Sequence, residues 1–213
     1  MLIPFNQLFP RHQIRAKGVL HIGASEGQEA PEYVRQGIQE MLFIEAIPSV
    51  YNTLKEKISQ YPRAMAVNSC IGDEDGKEVQ FHIANNGGQS SSYLEFGTHK
   101  EQHPTVEFVE TVTMFTKRID TIYQELLIPK DKYDFLNIDL QGCELFALKS
   151  MGDLLWNFKW AYLEVNAKEV YKGCALINEI DAYMSKFAMR RFDTYWTKQD
   201  GKDSWGDALY CRK

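Results

Sequence analysis

Residues 18–27 read GVLHIGASEG and residues 41–48 read MLFIEAIP. The first is a short apolar run closed by glycines. The second is an apolar run that ends in one carboxylate. Each has the length and continuity of a strand covered on both faces. Between them Ala30, Tyr33 and Val34 recur at helical spacing, and Gly37 is placed to stop that helix. Pro48 opens a second helix with the stripe Val50, Leu54, Ile58 and Tyr61, and Pro62 lies just beyond it. Residues 64–71, AMAVNSCI, read as a third strand. Strand, helix, strand, helix, strand predicts parallel βαβ units with right-handed crossovers.

Outward from this core the rhythm changes and then returns. Asp75-Gly76 is a hairpin signal between residues 70–71 and the alternating Val79, Phe81 and Ile83. Residues 85–92, NNGGQSSS, read as a loop, and residues 106–114 as a further strand. Residues 75–115 are therefore expected to form a hairpin and loop laid over one end of the sheet, and a loop this long in a compact domain points to function. Residues 133–139 form a strand, 144–151 a helix and 160–165 a strand. Leu176, Ile180, Tyr183, Met184 and Phe187 mark an amphipathic helix, and residues 191–196 and 208–211 a closing β-hairpin. The fold class expected is α/β.

Composition bounds the alternatives. At 213 residues, 44% hydrophobic and 25% charged, the chain suits one domain over residues 1–213, with 1–17 as an N-terminal extension. No apolar run approaches the ~20 residues of a membrane span. The opening MLIPFNQLFPRHQIRAKG lacks the apolar stretch of a signal peptide, so the location expected is cytoplasmic. The net charge is −5 without a Lys/Arg block, which argues against a nucleic-acid partner. Cys70, Cys143, Cys174 and Cys211 are widely spaced, as buried small hydrophobes would be, and form no CxxC pair. Trp156, Trp160, Trp196 and Trp205 read as packing residues, and His82, alternating with Phe81 and Ile83, faces solvent or a cross-strand partner.

In an open parallel sheet a ligand lies beyond the carboxyl ends of the strands, where the strand order reverses. The first strand ends in Gly23 and Gly27, whose missing Cβ atoms permit a tight turn and a close approach. The second ends in Glu45, 22 residues after Gly23, placed to accept from two ribose hydroxyls. A dinucleotide is disfavoured: Ser25 replaces the middle glycine of GxGxxG, and Glu26 puts negative charge where a pyrophosphate would sit. A phosphate-free, cationic cofactor fits better, and S-adenosylmethionine is one.

These residues resemble a known family. VLHIGASEGQE, FIEAIPSVYNTLKEKI, IGDEDGKEVQFHI, SSSYLEF, YDFLNIDLQGCELFALKSM and YLEVN, in that order over residues 18–166, are similar to the FkbM family of S-adenosylmethionine-dependent methyltransferases. The resemblance implies a Rossmann-like class I methyltransferase sheet of seven mostly parallel strands and O-methylation of a hydroxyl on a sugar-like or other small acceptor. It places His21, Gly23, Ala24, Ser25, Glu26 and Gly27 at the methionine end of the cofactor. Glu45 and Ala46 fall at the ribose, Gly72 and Asp73 at the adenine, and Asp139 and Leu140 between cofactor and acceptor. Asn137 and Gln141 stand where the family commonly carries Lys and Glu, and His21 where methyltransferases often carry an acid.

A hydroxyl acceptor must lose a proton, and Asp139, His99 and Glu164 are the candidate catalytic groups, with Glu144 and His103 also weighed. Asp139 could instead cap the segment that starts at Gly142. His99 and His103 lack an evident third ligand, so no metal is expected. Ser90, Ser91 and Ser92 either close over the cofactor or solvate the loop. Two other readings stand beside the enzyme: a cofactor-binding module that has lost catalysis, and a nicotinamide-dependent oxidoreductase.

Overall fold

The computed structural model describes residues 2–212. Ten strands follow in order: β1 Gly18–Ile22, β2 Glu40–Glu45, β3 Ala64–Asn68, β4 Cys70–Ile71, β5 Glu78–Ala84, β6 Phe108–Lys117, β7 Phe135–Ile138, β8 Trp160–Asn166, β9 Met189–Gln199 and β10 Lys202–Arg212. The α-helices are α1 Phe5–His12, α2 Ala30–Arg35, α3 Pro48–Ile58, α4 His99–Gln102, α5 Ile119–Glu125, α6 Glu144–Met151 and α7 Ile177–Ser185. Seven strands form one sheet in the order β3-β2-β1-β7-β8-β10-β9. The first five are parallel, and β10 runs antiparallel to both β8 and β9. This is the mostly parallel sheet with a C-terminal antiparallel hairpin that the alternating pattern leads to.

The buried strands alternate their side chains between two cores. Leu20, Ile22, Leu136, Ile138, Ala161 and Leu163 face one, with α5, α6 and α7. Val19, Phe43, Phe135 and Tyr162 face the other, with α1, α2 and α3. Within residues 1–17, expected as an extension, the stretch from Ile3 to Ala16 contributes to that second core. Phe5, Leu8 and Phe9 are buried, and Phe5 stacks on Tyr33 with ring centroids 5.0 Å apart. No described helix is long and apolar enough to cross a membrane.

Two local expectations are corrected. Residues 64–71 are not one strand: β3 stays at the edge of the main sheet, whereas β4 leaves it and pairs with β6. The break comes where the Asn68 amide donates to the carbonyls of Glu45 and Ala46, at 2.8 and 2.9 Å, and bends the chain over the end of β2. Asp75-Gly76 is not a hairpin between paired strands either, because β5 pairs antiparallel with β6. The Asp75 carboxylate instead accepts from the Arg118 backbone N–H at 2.8 Å and the Thr121 hydroxyl at 2.7 Å, which anchors the start of α5. Strands β4, β5 and β6 make a small second sheet.

Candidate functional site

Strand β1 lies between β2 and β7, so the order reverses there and a crevice opens at the carboxyl ends of the strands. It holds a cavity of about 370 Å³, within the usual range for small-molecule sites. Its floor is the turn after β1. Gly23 adopts φ +77, and a Cβ there would stand 1.9 Å from the Asp139 carbonyl oxygen. Only glycine lets the ends of β1 and β7 come this close. Its N–H and that of Ala24 both donate to the Ile44 carbonyl, at 2.9 and 3.0 Å.

Ser25, at φ +46, turns its N–H onto Glu45 Oε2 at 2.9 Å, and the Ile47 N–H meets Oε1 at 2.8 Å. Glu45 is only 7% exposed and lines the cavity. Burial pushes its carboxyl above the ordinary value, partly offset by those N–H groups.

At the other end the Gln141 amide nitrogen donates to Asp139 Oδ1 at 2.6 Å and to Glu164 Oε2 at 3.0 Å. Gln141 Oε1 accepts from the Tyr171 hydroxyl at 2.8 Å, and the residue holds φ +52 to do so. Burial, then the charges of Asp139 and Glu144, push the Glu164 carboxyl well above the ordinary value. Glu144, also raised by burial, sits behind the cavity, where its Oε1 accepts from Leu140 and Gly142 N–H groups at 2.9 and 3.1 Å. Asp139 is not a helix cap, because α6 begins after Cys143.

Two histidines complete the walls. Burial pushes His21 down to about 3, so its ring is neutral. The Asn137 amide donates to the Tyr33 hydroxyl at 2.8 Å, and that hydroxyl has its own proton to give His21 Nδ1, 3.3 Å away. His99 is held by burial at about 4; its Nε2 lies 3.2 Å from the Ser90 hydroxyl and its Nδ1 has no partner. It ends a column of rings: His82 stacks on Phe108 (4.8 Å), Phe108 on Phe96 (3.8 Å), and Phe96 on His99 (4.4 Å). His82 is thus the cross-strand residue expected, bonded to Thr111 at 2.9 Å.

Residues 86–93 line the cavity, so the polar loop is a wall of the site. Its serines are buried and tethered: Ser91 Oγ accepts from the Ala84 N–H at 2.9 Å, and Ser92 Oγ donates to the Gln141 carbonyl at 2.9 Å.

Of the residues singled out from the sequence, His21, Gly23, Ala24, Ser25, Glu45, Ala46, His99, Asp139, Leu140 and Glu164 all line the cavity. Glu26, Gly27, Gly72 and Asp73 do not. Glu26 pairs with Lys57 at 2.5 Å on the surface. Gly27 is bare for the sake of α3, since a Cβ there would meet Leu54 Cδ1 at 2.6 Å. A Cβ on Gly72 would strike Thr116 of β6 at 2.7 Å, and Asp73 offers its carbonyl to Arg118 at 2.6 Å. The cavity wall after β3 is Ser69, Cys70 and Ile71 instead.

Sequence reasoning missed Glu29 and treated Trp205 as packing alone, yet both line the cavity. The spacing of Glu29 and Tyr33, one helical turn apart on the helix after β1, was the available signal. The described residues hold no group of three or more His, Cys, Asp or Glu side chains suited to a metal.

Among the described residues, four carboxylates line the cavity (Glu29, Glu45, Asp139 and Glu164), and no lysine or arginine does. Such a lining favours a cationic or neutral ligand and repels a phosphate.

A model of the methyltransferase FkbM domain family matches residues 21–192. No curated protein matches the sequence. Among solved structures, the fold is similar to that of methyltransferase FkbM from Methylobacillus flagellatus KT, at 16% identity and a TM-score of 0.57. That alignment covers 98% of this chain and 48% of the other, so the chain spans about half the length of that protein. It is also similar to Aeropyrum pernix fibrillarin in complex with natively bound S-adenosyl-L-methionine, at 11% identity, a TM-score of 0.51, and coverage of 91% and 66%. The fold is that of the class I methyltransferases.

Proposed function

The chain belongs to the FkbM methyltransferase domain family, and from that premise we propose that it is an S-adenosylmethionine-dependent O-methyltransferase acting on a hydroxyl of a sugar-like or other small, uncharged acceptor. The observation that carries the reading is the cavity at the strand-order reversal, lined among the described residues by four carboxylates and no cationic side chain. A sulfonium with an ammonium group suits that lining, as a pyrophosphate cofactor does not.

The residues fit such a cofactor. Glu45, held in place by two backbone N–H groups, would take the ribose hydroxyls. Ile47, Val50 and Ile71 form an apolar slot for the adenine. Gly23, Ala24 and Ser25 form the turn under the amino-acid end. When bound, the cofactor supplies an electrophilic methyl group for in-line displacement.

The chain's own task is to hold the acceptor oxygen in line and take its proton. Asp139 is assigned that role, because burial favours the protonated form of its partner Glu164 and the Gln141 amide fixes both carboxyls. Neutral His99 and the Ser90 hydroxyl offer hydrogen bonds to the acceptor, and Trp205 offers a ring face to its carbon skeleton. An acceptor phosphate would face carboxylates without a counter-cation, so uncharged acceptors are favoured.

The test is calorimetric titration with S-adenosylhomocysteine, followed by transfer of labelled methyl from S-adenosylmethionine to a panel of free sugars and glycosides. Binding with turnover on a neutral hydroxylated acceptor is expected. A folded protein that gives no heat overturns the cofactor reading, and tight binding with no transfer across the panel favours a silent binding module.

A further inference from the structure

We propose that Glu29 receives the α-ammonium group at the amino-acid end of the cofactor, an inference that rests on the cofactor reading above. Glu29 lines the cavity, and its Oε2 is buried with no hydrogen-bond partner. It is the one carboxylate oxygen among the described residues in that condition. A buried carboxylate oxygen without a partner is costly, and a cation at the site removes that cost.

The three other carboxylates of the lining are already engaged. Both Glu45 oxygens accept backbone N–H groups, and the Gln141 amide ties Asp139 to Glu164.

Position supports the same assignment. Glu45 stands beside Cys70, at the β2–β4 end of the cavity. Glu29, raised by burial, is acted on by the N-terminal charge of the chain and by Asp139, at the β1–β7 end. A ligand with its ribose on Glu45 and its sulfur near Asp139 therefore brings its amino-acid tail to Glu29. The His21 ring that shares this end is neutral. The Glu29 backbone is itself fixed, because its carbonyl accepts two N–H groups of α2, from Glu32 and Tyr33, at 2.9 and 3.0 Å.

The experiment titrates wild type and Glu29→Gln with three probes. These are S-adenosylhomocysteine, its deamino analogue (ammonium replaced by hydrogen), and 5′-methylthioadenosine, which lacks the amino-acid tail. Wild type is expected to prefer S-adenosylhomocysteine to the deamino analogue by about ten- to a hundredfold, the size of a charge-assisted hydrogen bond. In Glu29→Gln that preference collapses to within about threefold while 5′-methylthioadenosine binding is unchanged. A variant that keeps the wild-type preference overturns the proposal, and so does one that loses 5′-methylthioadenosine as well, since Glu29 then supports the whole site. Wild type that binds none of the three overturns the cofactor reading itself, a distinct outcome.

Discussion

Gly23→Ala tests the geometry at the centre of the site. Two costs are built into the position. At φ +77 an L-residue pays about 1–2 kcal/mol for the left-handed backbone. The new Cβ would also sit 1.9 Å from the Asp139 carbonyl oxygen and 2.9 Å from its carbon. Those are backbone atoms of β7's own exit, so no side chain can swing aside, and forcing them apart adds about 1–3 kcal/mol. Gly37→Ala is the control. Its φ is +85, and nothing lies within 4 Å of the added atom, so it bears the backbone strain alone. The loss of unfolded-state freedom on replacing glycine is shared by both variants and cancels between them. Urea unfolding followed by tryptophan fluorescence should place Gly23→Ala about 1–3 kcal/mol below Gly37→Ala. The displaced Asp139 should also weaken S-adenosylhomocysteine binding in Gly23→Ala only. Equal losses of stability in the two variants would refute the close approach of the two turns.

Glu45→Gln sets an amide N–H₂ against one of the two backbone N–H groups that the carboxylate now accepts; a loss of about 1–3 kcal/mol in urea unfolding and at least tenfold in S-adenosylhomocysteine affinity is expected, and unchanged affinity contradicts the ribose role. Glu164, raised well above 4.5 in the folded chain, binds its proton more tightly folded than unfolded, so its contribution is complete below pH 4.5 and is lost as pH rises. Wild type should therefore lose stability relative to Glu164→Gln as pH rises above 4.5; a flat difference argues against it. His21, lowered from 6.5 to about 3, carries the opposite sign. Wild type should lose stability relative to His21→Asn as pH falls from 6.5 toward 3, and an invariant difference in matched denaturation curves would count against a buried neutral ring. Tyr171→Phe removes the hydroxyl that meets Gln141 Oε1 at 2.8 Å and the Ser90 carbonyl at 3.2 Å. About 1 kcal/mol of stability and faster amide exchange over residues 86–93 are expected; unaltered exchange would mean the loop is held by other contacts.

The main sheet was legible because its strands are continuous apolar runs and its helices carry stripes with glycine or proline at their ends. GVLHI, MLFIE and WAYLEV announce themselves by composition alone. Glu45 was legible for a related reason: a carboxylate that closes such a run has little access to water and needs partners. Less was readable where one residue type serves two ends. Gly23 and Gly27 look alike in GASEG, but one clears a path for the Asp139 carbonyl and the other for Leu54, and neither neighbour is near in sequence. The small sheet was misread because the pairing of β4 with β6 closes a long loop that no short-range turn signal reports. Residues 5–12 looked like a tail because Pro4, Pro10 and charges hid the buried stripe of Phe5, Leu8 and Phe9. Trp205 reaches the cavity only through the register of β10 against β8, which local sequence does not encode.

The column running from His82 through Phe108 and Phe96 to His99 has a consequence for motion. Each ring has only two side-chain torsions, so the stack covers a large area while little freedom is given up on folding. It runs from β5 of the small sheet to His99 in the wall of the cavity. Trimming Phe108 to alanine would take out the middle of that stack and leave Phe96 and His99 without support on one side.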